Sequence, residues 1–487
     1  MPLNISKNII SFGKHGIIYA VGSSLHSLLA VFLIPLYTRY LDPSDYGVLG
    51  LLMVVSSISG LLALSGGSGA MIRSFYDYDT DEGKKVVFST TFYWVLFNGI
   101  LITLFCSIIY NKISNLIFSN EDTGILILLM TITGAVGALK MIPQNIFKLY
   151  KKSLLYITLE TSTFIVGVLF ILYFVIIKQL GLFGVVAGLL LSSILSFLIL
   201  FVFILNKIVL KVDFKELKKQ FIFGVPLIFA GFSSILFSFS SRFFIKHYHS
   251  LEIVGIFTLS QQITGVMITL FNVPLKMIWG PVFLENYKKT GHERFFKYAT
   301  DYVFFIALSL SLGIAIFSKD LLFFIAPIQY QNASSIIPIL LLGILFWSTN
   351  PMFNGGIIAE RKTKFIAVNF FFGAIVNIIL NILLIPKWGM YGAAWASTVS
   401  YLLMFINIIL YNNKLGFIFI HLKRNIKLLG VALIIYYCST FISSGVLILS
   451  ILYKILLLLV GSIVIMFIGY LTTDEINFIK TKLRKIL

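Results

Sequence analysis

Apolar stretches long enough to cross a bilayer follow one another along the whole of this 487-residue chain, and Lys and Arg crowd into every second loop between them. A helix needs about 20 predominantly apolar residues to span the roughly 30 Å hydrocarbon core. By that measure about fourteen spans are expected, at 16–38, 46–71, 86–109, 124–147, 154–177, 181–205, 221–245, 252–280, 298–318, 334–357, 365–385, 390–412, 427–445 and 448–471. In hydrocarbon every backbone N–H and C=O has to be satisfied inside the segment that carries it. Unbroken apolar runs of this length therefore predict an all-α polytopic membrane protein with about fourteen transmembrane helices.

Orientation follows from the loops, because cytoplasmic connections retain Lys and Arg. One side carries Arg73, Lys84 and Lys85, then Lys148, Lys151 and Lys152, then Lys207, Lys211, Lys215, Lys218 and Lys219. Lys288, Lys289, Arg294 and Lys297, Arg361 and Lys362, and the clusters around Lys423 and Lys482 lie on that side too. The opposite loops offer Arg39, Lys112, Lys178, Lys246, Lys319 and Lys387. Both termini are expected on the cytoplasmic side of a bacterial inner membrane. The net charge of +19 is accounted for by loops facing anionic lipid, so no nucleic-acid partner is implied. The first apolar segment lacks a short h-region followed by a small-residue cleavage site and reads as a retained helix.

No loop is long enough for a soluble catalytic domain, and no GxSxG, HExxH, P-loop or paired-carboxylate motif appears in a supporting context. Cys106 and Cys438 lie in apolar segments without CxxC spacing, and His247 and His249 have no third ligand nearby, so neither a metal nor a cofactor is expected. This anatomy is that of a transporter rather than an enzyme.

The chain repeats itself. Lys178-Gln-Leu-Gly181-Leu-Phe-Gly184 before the sixth span matches Lys387-Trp-Gly389-Met-Tyr-Gly392 before the twelfth, about 208 positions on. The end of the first span at Arg39 pairs with the end of the seventh at Arg242, here about 203 positions apart. Six spans separate the partners, an even number, so the repeats share one orientation. Two parallel six-helix lobes are expected, at 1–205 and 206–413, followed by a helix pair at 414–487 that packs at the periphery or holds a lipid groove. Parallel repeats place a substrate path between the lobes, with access alternating as they rock.

The run Leu33-Ile-Pro-Leu-Tyr-Thr-Arg39-Tyr-Leu-Asp-Pro43-Ser-Asp-Tyr-Gly47 resembles the first hairpin of Wzx-type flippases, the polysaccharide-biosynthesis branch of the superfamily that also holds the MATE exporters and MurJ flippases. Arg73-Ser-Phe-Tyr76, Arg242-Phe-Phe-Ile245 and Gly355-Gly-Ile-Ile-Ala359 are similar in kind, so the resemblance covers residues 10 to 415. It implies a flippase that carries an undecaprenyl-pyrophosphate-linked oligosaccharide to the outer leaflet for O-antigen or capsule synthesis, beside polymerase and chain-length proteins of the same pathway. Where that family often has an acidic residue before the Arg of the seventh span, this chain has Ser241, which argues against an ion or proton role there.

Charged side chains inside a membrane cost about 2.5–3.5 kcal/mol on insertion scales and mark candidate sites. Arg39 and Arg242 suit a diphosphate through the two-pronged guanidinium fork, or else snorkel to headgroups. Lys276, between Pro274 and Pro281, either joins them in a cationic cavity or snorkels beside Trp279. Lys140 lies about 12 Å inside its helix by the helical rise. Glu160, in the next span, either pairs with Lys140 or is a protonatable coupling residue. Ser23, His26, Ser234, Ser238, Gln261 and Gln262 read as a polar path or as packing surfaces, and Gly66, Gly67 and Gly69 as a hinge. Rival readings are a MATE-like cation-coupled drug exporter, which requires an anionic cavity, a glycan polymerase or ligase, and a scaffold of the assembly complex.

The loop asymmetry has a direct check. Single cysteines replacing Lys211 and Lys288 are expected to be shielded from a membrane-impermeant maleimide in intact cells, and cysteines replacing His249 and Lys387 to be labelled.

Overall fold

The protein is described by a computed structural model over residues 32–289, 291–417, 420–442 and 447–467. Among these residues the regular structure is helical throughout. The helices are α1 (Leu33–Tyr40), α2 (Pro43–Leu64), α3 (Gly67–Phe75), α4 (Asp81–Phe118), α5 (Gly124–Leu149), α6 (Ser153–Leu172), α7 (Gly181–Val202), α8 (Phe214–Tyr248), α9 (Leu251–Met267), α10 (Val273–Asn286), α11 (His292–Ile316), α12 (Ser318–Ile325), α13 (Ala333–Ala359), α14 (Lys364–Lys414), α15 (Leu422–Thr440) and α16 (Leu447–Phe467). Ten continuous helical runs among the described residues are long and apolar enough to cross a membrane. One of them, α14, holds both the eleventh and twelfth expected spans. They meet at Gly389, whose backbone is not helical (φ 53°, ψ −129°). The expected first span lies outside the described residues except for its last turns in α1, and so do Ser23 and His26.

Polar residues start the helices where the sequence supplies them. Asp42 accepts the Asp45 N–H with Pro43 in the first turn, Thr80 accepts the Gly83 N–H, and Ser250 accepts the Ile253 N–H, each relieving an orphan donor. Asp213 accepts the N–H groups of Glu216 and Lys215, and these hold its carboxyl below the usual carboxylate range. Helix regularity breaks at Ser65 and Gly66, both left-handed (φ 47° and 73°), between α2 and α3, and loosens into single π-turns at Tyr173–Ile177 and Ile268–Asn272.

The long apolar helix α2 sits at the centre, packed on α4 and α5 from its own half of the chain and on α8 and α9 from the other. It can approach α9 so closely because both helices present glycine at the crossing. A Cβ on Gly47 would lie 2.0 Å from the Leu251 carbonyl oxygen, and one on Gly255 would lie 1.8 Å from that of Pro43. Gly47 and Gly255 are 208 residues apart, as are Pro43 and Leu251, so the contact is nearly symmetric under the internal repeat. Gly181 and Gly389 obey the same spacing and both take a positive φ, 51° and 53°. At the other end of α2, a Cβ on Gly66 would meet the Gly224 Cα on α8 at 2.4 Å. Small residues of this kind let membrane helices touch backbone to backbone where lipid supplies no hydrophobic drive.

The terminal helices α15 and α16 pack on one another, and α15 also packs along α11. Buried ion pairs hold both. The Asp301 carboxylate on α11, with its side chain fully buried, accepts from His421 Nδ1 at 2.6 Å, Arg424 Nη1 at 3.2 Å and Asn425 Nδ2 at 2.7 Å. Lys454 on α16 meets Asp320 on α12 at 2.6 Å, each almost buried.

The glycine crossing yields a graded prediction. Gly255→Val is expected to lower the thermal midpoint of the purified protein, since forcing atoms into a filled contact costs about 1–3 kcal/mol. Gly265→Ala, with open space around its Cβ, should leave the midpoint unchanged.

Candidate functional site

Two belts of polar contacts tie the halves of the chain together, one at each end of α2. On the side away from the basic loops, the Arg242 guanidinium of α8 is 5% exposed. It donates through Nη1 to the Gly50 carbonyl oxygen at 2.7 Å, and through Nε and Nη2 to the Gln261 Oε1 at 3.1 and 3.0 Å. Its flat face lies 4.7 Å over the Phe239 ring. Beside it Tyr46 OH donates to Gln262 Oε1 at 2.5 Å, Thr38 to the Ile325 carbonyl at 2.9 Å, and Tyr330 OH to the Leu41 carbonyl at 3.0 Å. Tyr46 and Tyr330 are fully buried and meet edge to face, their centroids 5.8 Å apart. Among the described residues Arg242 thus has a carbonyl and an amide oxygen as partners and no carboxylate. Its positive charge, buried between α2, α8 and α9, is hydrogen-bonded but not neutralised.

On the basic side the belt is built around Glu216 at the start of α8, whose side chain is fully buried. Tyr78 OH donates to its Oε2 at 3.1 Å, Gln220 Nε2 to its Oε1 at 3.1 Å, and Thr91 Oγ1 donates in turn to Gln220 Oε1 at 2.8 Å. Burial and the neighbouring Glu216 charge raise the Tyr78 phenol above its ordinary pKa, which keeps it a donor. The chain Tyr78–Glu216–Gln220–Thr91 joins α8 to α4 and to the turn before it. The Gly66–Gly224 backbone contact lies beside it.

The cations singled out from the sequence do not share one environment. Arg39 is exposed at the end of α1. The 208-residue spacing of the repeat places Arg39 opposite His247 and Arg242 opposite Ile34, so the expected equivalence of the two arginines does not hold. Its basis was a similar local context five residues out of register. Lys140 pairs with Glu160 at 3.1 Å, and Gln144 Nε2 also donates to Glu160 at 2.8 Å. Of the two readings left open for Glu160, the geometry supplies the structural pair. Lys276 is exposed, with its ammonium 5.6 Å over the Trp347 ring. Gln261 and Gln262 fall in the belt around Arg242, whereas Ser234 and Ser238 point from α8 to an exposed face. Gly66 is the residue at the helix break; Gly67 and Gly69 lie in α3.

Sequence reasoning missed three acidic groups. Glu216 was hidden among the lysines of a basic loop. Asp301 lies in the first half of α11 near the many charges of a basic loop, yet it is buried against His421, Arg424 and Asn425. Asp320 and Lys454 form a pair that the single Lys inside the last apolar stretch could have signalled. Beside Arg242 lies a neutral network in which Ser240 and Ser241 donate to Asn377 and Asn381, and Asn381 donates back to Ser240 and to Asn377. It contains no carboxylate. Among the described residues no group of three or more His, Cys, Asp and Glu side chains is placed to hold a metal ion.

Breaking the Lys140–Glu160 pair should be destabilising. Lys140→Met is expected to cost about 1–3 kcal/mol of stability, below the roughly 3–5 of a fully buried pair because Lys140 is 21% exposed. Adding Glu160→Gln should recover most of it in the same thermal melt.

Comparison with known proteins identifies the family and the fold. The profile of a family described as polysaccharide biosynthesis protein matches residues 36–335, and the chain belongs to that family. An uncharacterized membrane protein of Methanocaldococcus jannaschii is 25% identical over 209 residues, a match spanning 41% of this chain and 40% of that one. Among solved structures, the lipid II flippase MurJ in an inward closed conformation superposes with a TM-score of 0.72 at 16% identity, covering 93% of this chain and 98% of that one. A multidrug-resistance MATE transporter of the MOP superfamily gives 0.66 at 15% in its inward-facing conformation, over 82% of this chain and 99% of that one. The outward-facing conformation of such a transporter gives 0.61 at 15%, over 83% and 95%. The fold is therefore that of a multi-pass membrane transporter or flippase.

Proposed function

We propose that this member of the polysaccharide biosynthesis family is a flippase that carries a polyprenyl-pyrophosphate-linked oligosaccharide from the cytoplasmic to the outer leaflet of a bacterial inner membrane. The observation that carries the reading is the buried Arg242, a permanent cation between the two halves of the chain with no carboxylate beside it among the described residues. Such a centre suits an anionic cargo and repels a cationic drug, which sets the MATE-like alternative aside.

In this reading residues up to 205 and residues 206–413 act as two lobes that rock about the substrate. Parting of the Tyr78–Glu216–Gln220–Thr91 belt and of the Gly66–Gly224 contact opens the basic side, and the break at Ser65 and Gly66 absorbs the backbone change. The diphosphate takes over the guanidinium donors that Gly50 and Gln261 now occupy, because two charge-assisted bonds to phosphate are stronger than bonds to neutral oxygens. Loss of the bond to Gly50 frees α2 from α8, and the opposite side then opens. Lys276, and Arg39 at the exit, lower the cost of moving the charge. The prenyl chain stays in lipid, along the apolar groove that α11, α13, α14 and α15 form with Leu308, Leu342, Trp395 and Tyr436.

No nucleotide is required. An anion moved out of an inside-negative cell gains about 2.3 kcal/mol per charge per 100 mV. Proton coupling through Glu160 is a separate matter, and Glu160→Gln is expected to leave the pH dependence of transport unchanged.

Two measurements test the proposal. Cells lacking the protein should hold completed lipid-linked units on the cytoplasmic face and no surface glycan; single units displayed outside would instead mean a polymerase. A short thiol-reactive cross-link between Tyr46→Cys and Gln262→Cys, or between Tyr78→Cys and Glu216→Cys, should stop export, and a cleavable linker should restore it on reduction. Export that continues with either belt cross-linked would overturn the two-sided mechanism.

A further inference from the structure

On the side away from the basic loops, three segments surround a cavity of about 680 Å3. They are the turn at the middle of α14 (Lys387, Trp388, Gly389, Met390 and Tyr391), the start of α9 with His249, Ser250 and Glu252, and Asn332 at the head of α13. The left-handed Gly389 packs under the His249 ring, where an added Cβ would lie 3.5 Å from Nε2. That nitrogen is 2.8 Å from the Ile385 carbonyl, so the imidazole is pinned to the turn. Tyr391 OH donates to Ser335 Oγ at 2.9 Å, which fixes the phenol. Trp388 remains 55% exposed and Tyr391 42%. The side chains of Glu252, Asn332 and Lys387 are exposed at the cavity and, among the described residues, make no hydrogen bond or ion pair.

The fold does not need these residues. The repeat-related turn, 208 residues earlier, also takes a positive φ at its glycine, Gly181, with Gln179, Leu180 and Phe183 where this one has Lys387, Trp388 and Tyr391. Only the second copy therefore carries an indole, a phenol, an acid and a base around one cavity. Its size falls within the roughly 300–1,000 Å3 of small-molecule sites. Glu252 and Lys387 offset one another, which favours a neutral ligand over a phosphate or a cation. An exposed indole offers a flat, electron-rich face to the partly positive C–H groups of a pyranose. Carboxylate, amide and ammonium supply acceptors and donors for its hydroxyls.

We propose that this cavity docks a neutral pyranose of the transported glycan on the exit side, with Trp388 as stacking platform and Glu252 and Asn332 as hydroxyl partners. The inference rests on the flippase reading and adds a sugar contact remote from the cationic centre. An indole at this level could instead anchor the protein among lipid headgroups, and the test separates the two.

The full chain is reconstituted in vesicles with two probes: the lipid-linked glycan that accumulates in cells lacking the protein, and bare polyprenyl diphosphate. Arrival outside is read by added periodate for the glycan and by added phosphatase for the bare lipid. Trp388→Ala and Glu252→Gln should slow the glycan-bearing lipid by about tenfold, equivalent to about 1.4 kcal/mol, and leave the bare lipid unchanged; Trp388→Tyr should restore most of the rate. Equal effects on both probes, or none, overturn the sugar site while the flippase reading stands. A wild-type protein that moves neither probe ends both. Quenching of the Trp388 emission, taken as wild type minus Trp388→Phe, by brominated acyl chains would assign the indole to lipid and also overturn the site.

Discussion

Hydrocarbon offers no hydrogen bonds, and the architecture follows from how this chain meets that constraint. The backbone satisfies itself by becoming helix wherever it crosses. The side chains cannot all be apolar, since the halves must recognise one another, so the polar ones are gathered into pairs and short networks: Lys140 with Glu160, Lys454 with Asp320, Asp301 with the three groups at the head of α15, and Glu216 with Tyr78 and Gln220. Against that pattern Arg242 stands apart. Its hydrogen bonds are made, yet among the described residues its charge is answered by neutral oxygens alone, and the functional reading turns on that difference.

Much of the fold was legible in the sequence because lipid makes hydropathy nearly decisive. The helical spans could be read from residue pattern, and the glycines that recur 208 residues apart, Gly181 and Gly389, both take a positive φ. Register was harder. Arg39 and Arg242 looked equivalent because each ends a helix before a polar turn, whereas the fixed separation of Gly47 from Gly255 moves the match by five residues. Local similarity of a few residues cannot set an offset that backbone contact sets throughout the chain.

The site was legible in part. Gln261, Gln262 and Arg242 stood out as polar residues in apolar surroundings, and they meet in one belt. A pair of Lys140 with Glu160 was one of the two readings that helix depth allowed, and the two side chains meet at 3.1 Å. Glu216 and Asp301 were not visible, because both lie at the ends of spans among many charges, where burial is decided by how neighbouring helices tilt. Trp388 carried no signal either, since a tryptophan near a membrane surface is ordinary until the cavity beside it is seen.

Where Gly47 meets Gly255 the crossing of α2 and α9 is backbone on backbone, while one turn along the Thr258 side chain packs on Gly50. Interlocked side chains must change rotamers before two helices can part, and each change adds friction. A smooth contact has no such teeth. In the proposed rocking cycle the glycine contact itself offers little resistance, so separation at this point would depend chiefly on the hydrogen bonds around Arg242 and Tyr46, and turnover would be tunable one bond at a time.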